Sequence, residues 1–235
     1  MEPPDTVVLR LQSVGMRYDR GEEVLCDLDL AIKAGTFFFL TGPSGAGKTS
    51  LLRLLSLSHP PSRGIVELFG RDVGQLDREQ RGSLRRRIGV VFQDFRLLDH
   101  LSAFDNVALP LRIGGLAEEQ IAMYVSEMLS WLGLGECMEC RPGQLSMGQR
   151  QLVTIARAVI TRPSLLLADE PLSNLDSRRR KRVMHLFTQM HRQGTTILMA
   201  THDHELLRHH PFGAIELDAG RIVRVTEGLA RQAAE

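Results

Sequence analysis

Cysteine is scarce in this chain of 235 residues, with three in all, an odd number that suggests no disulfide framework. Cys137 and Cys140 form one C-x-x-C, but a structural zinc site needs two further ligands and no second pair exists. No run approaches the roughly 20 apolar residues that span a bilayer. The opening Met1-Glu2-Pro3-Pro4-Asp5 is acidic and carries no apolar stretch, so no secretion signal is expected and the chain reads as cytoplasmic. An excess of one charge is missing too. With 29 Lys and Arg against 28 Asp and Glu, the formal charge is +1, and no nucleic-acid partner is expected, because such binding rests on many phosphate contacts. Basic residues cluster only at 85–87 and 178–182, as solvated helix faces do. Internal repeats and long low-complexity segments are also lacking.

What is present is ordinary for a globular chain: 43% hydrophobic and 24% charged residues, in a length suited to one large domain or one domain with an insertion. Residues 7–11 and 24–30 alternate as strands around a polar turn at 19–22. Residues 36–40, 164–168 and 195–200 are short apolar runs, as suits strands buried on both faces of a parallel sheet. Residues 50–55 and 178–192 have helical character, and 215–217 is strand-like. Strands alternating with helices imply parallel pairing with right-handed crossovers. Between 93 and 159 the texture is helical, with Val125, Met128, Leu129 and Leu132 at helical spacing and no clear strand. The expected organisation is a single domain, 1–235. Residues 1–92 and 160–225 form its α/β core, 93–159 an inserted helical subdomain, and 226–235 a tail.

Residues 42–49 read Gly42-Pro43-Ser44-Gly45-Ala46-Gly47-Lys48-Thr49, which satisfies G-x-x-x-x-G-K-[ST] at every defined position. Glycines let successive N–H groups turn inward onto phosphate oxygens, and the helix that follows, through Ser50, offers its positive N-terminus to the same anion. Lys48 is expected to reach the β- and γ-phosphates of ATP, and Thr49 to offer its hydroxyl to Mg²⁺. The run 165–170 ends in Asp169 and Glu170, two acids at the C-terminal edge of a buried strand, where α/β sheets bind ligands. Asp169 suits support of Mg²⁺ through water, and Glu170 suits polarisation of an attacking water. His204-Glu205-Leu206-Leu207-Arg208-His209 only mimics a zinc-protease helix, since H-E-x-x-H would need its second histidine where Arg208 stands.

Further segments narrow the choice among P-loop enzymes. Leu145-Ser146-Met147-Gly148-Gln149, followed by Ile155-Ala156-Arg157-Ala158, resembles the signature motif of the ABC transporter ATP-binding family. Tyr18 stands where that family stacks adenine on an aromatic ring. Gln93 resembles its Q-loop glutamine, a further Mg²⁺ ligand; Ser173-Asn174-Leu175-Asp176 resembles its D-loop; and His202 resembles its switch histidine. The motifs stand in the family's order from Tyr18 to His202. The resemblance implies an α/β P-loop NTPase with a RecA-like core, an N-terminal antiparallel β subdomain and an inserted α-helical subdomain. It also implies ATP hydrolysis by a homodimer formed on ATP binding, with Lys48, Glu170 and His202 catalytic. Ser146, Met147, Gly148 and Gln149 would then cap, in trans, the γ-phosphate held by a second copy. Met147 departs from the family, which normally has glycine there. Its side chain disfavours positive φ, so slower or partner-dependent closure is expected.

Several longer stretches, among them 84–89, 105–111 and 198–203, resemble the cell-division branch of the family, and the lack of a long C-terminal regulatory domain agrees. That branch implies an integral membrane partner, FtsX, and a place on the cytoplasmic face of the bacterial inner membrane through it. The partner would dock near 93–115, with Phe95, Leu97, Leu98, Leu101 and Phe104 as candidate groove residues. The lipoprotein-releasing and macrolide-efflux branches share much of the pattern. A soluble repair or translation ATPase would carry a second cassette, zinc modules or a coiled-coil insertion, and a GTPase an N-K-x-D segment. None is present.

Overall fold

The alternating start folds as two long antiparallel strands, β1 (Val7–Arg17) and β2 (Glu23–Lys33), whose Leu9, Leu11, Leu28 and Ile32 are almost fully buried. This computed structural model describes residues 6–19 and 21–228. The acidic opening 1–5, Arg20 of the first turn and residues 229–235 of the expected tail lie outside the described residues. β3 (Phe37–Thr41) runs through the phosphate loop into α1 (Lys48–Leu55). β4 (Arg63–Leu68) and β5 (Arg71–Asp72) return beside β1, giving an antiparallel sheet of order β2-β1-β4-β5. α2 (Arg78–Arg86) starts at a reciprocal capping box between Asp77 and Gln80 and leads to β6 (Ile88–Val91).

Three helices follow without an intervening strand: α3 (Ala103–Ile113), α4 (Glu118–Leu132) and α5 (Met147–Val159). α4 buries Ile121, Val125, Leu129 and Leu132, one stripe at helical spacing, while Met128 at its margin stays half-buried. The chain then continues through β7 (Leu165–Asp169), α6 (Ser177–Arg192), β8 (Thr196–Ala200), the short α7 (His204–His209), β9 (Gly213–Asp218) and β10 (Arg221–Thr226). The second sheet has the order β10-β9-β3-β8-β7-β6, parallel throughout except where β10 pairs antiparallel with β9.

The apolar runs of β3, β7 and β8 follow from this position. Phe38, Leu40, Leu165, Leu167, Leu198 and Ala200 face a core shared with the antiparallel sheet and α1. Their neighbours Phe37, Phe39, Leu166, Ala168, Ile197 and Met199 face a second core under α3, α4, α5 and α6. Successive side chains point to opposite faces, so a strand between two cores must be apolar at every position. Fully burying a side chain such as Phe39 stabilises by roughly 1.5–3 kcal/mol. Parallel pairing also brings the C-terminal ends of β3, β7 and β8 to one edge, where Leu40 and Asp169 are both in register with Ala200. The phosphate loop, Asp169 and the segment leading to His202 therefore meet at that edge.

Candidate active site

The loop after β3 is held open by backbone that only glycine tolerates well. Gly42 has φ +135, and a Cβ there would lie 2.0 Å from the Leu217 carbonyl oxygen. Gly47 has φ +101, and its Cβ would meet Leu25 Cδ2 at 2.7 Å. Lys48 Nζ crosses the loop to donate to the carbonyl oxygens of Gly42 (2.7 Å) and Pro43 (2.9 Å), which puts its positive charge over the concavity. The helix α1 begins at Lys48, so its unpaired N–H groups open onto the same space. Ser50 is buried, and its hydroxyl lies 3.1 Å from that of Tyr18, which also accepts from Arg53 at 3.3 Å. These bonds fix the half-buried Tyr18 ring beside the start of α1.

Thr49 Oγ1 donates to Asp169 Oδ2 at 2.7 Å across 120 positions of sequence. Burial pushes the Asp169 carboxyl above its ordinary 3.8, against the smaller opposing effects of the Thr49 bond and the Lys48 charge. The folded chain thus holds this proton more tightly than the unfolded one, so the group's contribution turns against folding as pH rises above that value. A cation beside it would remove that penalty. Thr49, Gln93 and Asp169 line one cavity of about 200 Å³, together with Arg53 and Asp94. A hydroxyl, an amide oxygen and one carboxylate suit a hard divalent cation that takes its remaining ligands from phosphate and water.

Glu170 adopts φ +47, a strained value for a side chain of its kind, and is pinned by its N–H on Ala200 O (3.1 Å) and by Ser173 Oγ on its carbonyl (3.0 Å). His202 Nδ1 lies 2.7 Å from Glu170 Oε1, which fixes the ring and turns Nε2 outward, with the imidazole 76% exposed.

Ser146 caps α5: its Oγ accepts from Gln149 N–H at 3.3 Å, and Gln149 Oε1 accepts from Ser146 N–H at 2.8 Å. Met147 is the first residue of that helix, is not in the left-handed region, and is 61% exposed. The strain expected of a side chain at this position is therefore absent, because a helical first turn needs no positive φ. Glycine is required one residue on. A Cβ at Gly148 would sit 2.9 Å from Asn174 O, in the loop 173–176 that ends with Asp176 capping α6. Among the described residues, no hydrogen bond joins 146–149 to the phosphate loop. Met147→Gly is expected to destabilise by less than about 1 kcal/mol, since glycine costs that much only in a helix interior and residue 147 is the first of its helix. A urea titration reads this, and a gain in stability would contradict it.

Of the five apolar residues proposed to line a partner groove, Leu97 and Phe104 pack on the helical core, and none of the five borders the large cavity of about 1180 Å³. Phe92, Arg96, Ile113, Tyr124 and Trp131 border it instead, on the flank of α3 and α4. Burial there depends on how the helices cross, which local sequence does not state. Cys137 and Cys140 belong to no group of three metal-binding side chains among the described residues. Burial raises the Cys137 thiol, which accepts from Gln149 Nε2 at 3.2 Å. His209 meets Glu205 on α7 at 3.8 Å and shares no site with His204. Arg53 was not singled out by motif. Its only signal is its place one helical turn after Thr49.

The family described as ABC transporter matches residues 25–173, and a second, described as AAA domain, putative AbiEii toxin, Type IV TA system, matches 139–208. The cell division ATP-binding protein FtsE of Mycobacterium tuberculosis is 40% identical over 219 residues, covering 93% of this chain and 95% of that protein. The macrolide export ATP-binding/permease protein MacB of Syntrophobacter fumaroxidans is 39% identical over 94% of this chain but only 31% of its own length. A dimeric ATP-binding cassette, MJ0796, solved in a post-hydrolysis state with ADP and Pi, superposes with a TM-score of 0.87 at 33% identity, covering 93% of this chain and 98% of that one. The chain belongs to the ABC transporter family and is an ATP-hydrolysing cassette similar to the FtsE cell-division proteins.

Proposed function

We propose that two copies of this chain clamp two ATP molecules, hydrolyse them and reopen, and that the motion is passed to an integral membrane protein resembling FtsX in cell division. The observation that carries the reading is the meeting of Lys48, Thr49–Asp169 and Glu170–His202 at one sheet edge. Lys48 and the inward N–H groups of the loop hold the β- and γ-phosphates and stabilise charge that grows on them in the transition state. Mg²⁺ would be held by Thr49, Gln93 and Asp169, supplying positive charge at the phosphates. Glu170 orients the attacking water and accepts its proton. His202, held beside Glu170 through Nδ1, presents its Nε2 to the γ-phosphate. Ser146 and the Gly148 N–H reach the γ-phosphate of the other copy, and residues 173–176 line the contact. Tyr18 stacks on the adenine.

The cell-division reading is supported by the FtsE relative, 40% identical over 95% of that protein's length. No helix among the described residues is long and apolar enough to cross a membrane. The groove flanked by Arg96, Ile113, Tyr124 and Trp131 is the proposed docking place, with Ile113 63% and Trp131 42% exposed. Co-expression with an FtsX-like membrane protein tests this. Ile113→Asp should reduce recovered complex about tenfold, the loss of one apolar anchor, while the ATPase rate of the isolated chain is unchanged. Undiminished recovery would count against the docking place.

A further inference from the structure

The helix that Ser146 caps carries near its other end a cation with no acidic partner among the described residues. Arg157 is mostly buried, burial alone lowers its guanidinium pKa, and no carboxylate pairs with it among the described residues. Its hydrogen bonds go to backbone instead. Nη2 donates to Phe95 O at 2.8 Å and Nη1 to Arg96 O at 2.7 Å, with Asn106 Oδ1 3.4 Å from Nη1. One turn earlier on α5, Thr154 Oγ1 lies 3.3 Å from the same Phe95 oxygen.

The backbone so gripped is unusual. Phe95 and Arg96 are consecutive residues with φ +57 and +50, a conformation that side chains other than glycine seldom adopt, least of all in pairs. The turn also closes on itself, because the Arg96 guanidinium lies 3.9 Å over the Phe92 ring and 3.1 Å from Asp94. On its far side, buried Asn106 donates to the carbonyls of Leu98 and Ser102 and accepts from Leu98 N–H. Gln93 stands at the head of this folded-over turn and lines the cavity with Thr49 and Asp169, exposed to solvent. Strained backbone persists only where its surroundings over-determine it, and here Arg157's fork is the one contact that grips both strained carbonyls at once.

We propose that Arg157 is a positioning residue of the ATPase site: its fork on the Phe95 and Arg96 carbonyls sets where Gln93 stands against Thr49 and Asp169. It thereby ties that position to α5. The inference rests on Gln93 acting at the nucleotide, as proposed above. Ser146 and Arg157 are eleven positions apart along this helix, about 16 Å at the usual rise, so one rigid rod joins the surface facing a second copy to the Gln93 turn. A shift of α5 when the other copy's nucleotide engages Ser146 would be felt at Gln93. Two carbonyls in fixed relation need a planar fork, and a lysine can satisfy only one of them well.

The test is a double-mutant cycle on the full chain. Arg157→Met, Arg157→Lys and Thr154→Val are each measured alone and with Gln93→Ala, for kcat and KM of ATP hydrolysis, nucleotide affinity and melting temperature. Arg157→Met should lower kcat about tenfold with nucleotide affinity within about twofold, Arg157→Lys should recover part of the loss, and Thr154→Val should cost about two- to threefold. In the Gln93→Ala background none of the three should lower kcat further. Full additivity with Gln93→Ala, or a change confined to KM, would overturn the assignment. If Gln93→Ala alone leaves turnover unchanged, the reading of Gln93 fails and the inference with it, an outcome distinct from additivity. Should Arg157→Met not fold, the lysine and valine arms decide by the same cycle.

Discussion

Glu170→Gln is expected to keep ATP binding and lose turnover by at least about a hundredfold, the usual contribution of a positioned general base. The substitution is nearly isosteric. The bonds that hold residue 170 at its left-handed φ come from backbone, from its N–H to Ala200 and from Ser173 onto its carbonyl, so the turn should survive. What disappears is the negative oxygen that takes a proton from water and holds His202 through Nδ1 at 2.7 Å. Phosphate release under saturating ATP, beside retention of bound ATP, reads both halves of the expectation. Turnover within about twofold of the parent would remove Glu170 from the mechanism.

The second large effect falls on the loop. Gly42→Ala is expected to destabilise the chain by about 3 kcal/mol, from backbone strain and overpacking together, and to abolish ATP binding. The added Cβ would lie 2.0 Å from Leu217 O, and Leu217 belongs to β9, which pairs directly with β3 in the parallel sheet. Neither strand can retreat without breaking that ladder. At Gly45, by contrast, a Cβ would meet nothing within 4 Å, and only the conformational cost of φ +81 remains. Each kcal/mol corresponds to about 2–4 °C of melting temperature in a domain of this size. Gly42→Ala should therefore melt well below Gly45→Ala, and equal melting temperatures would contradict the packing argument.

How much of this was legible in the sequence depended on whether the determining contacts are local. Residues 42–49 were readable because the loop's glycines, lysine and threonine act within one turn of chain. The buried strands were readable from their unbroken apolar runs. That Thr49 and Asp169 touch follows only from the parallel order of β3, β8 and β7, which the alternation of strands and helices suggests but does not fix. The short β5 and the exposed edge strand β10 leave no period to recognise. The positive φ that Met147 was expected to disfavour is not called for, because Ser146 and Gln149 cap a helix that starts at that residue. How far the groove residues are covered is a tertiary matter: Leu97 and Phe104 pack partly against the helical core, while Leu98, Ile113 and Trp131 stay exposed. Arg157 stood in plain view after the signature, but its significance lies in two carbonyls about 60 positions upstream.

Each site is proposed to be completed by a second copy, with 42–50 from one and 146–149 from the other. Light scattering on Glu170→Gln measures this directly. With ATP the mass should rise to twice the 26.3 kDa of one chain, and Ser146→Arg in the same background should return it to a monomer. A protein that stays monomeric under saturating ATP, or that dimerises equally well with Ser146→Arg, would contradict the shared site.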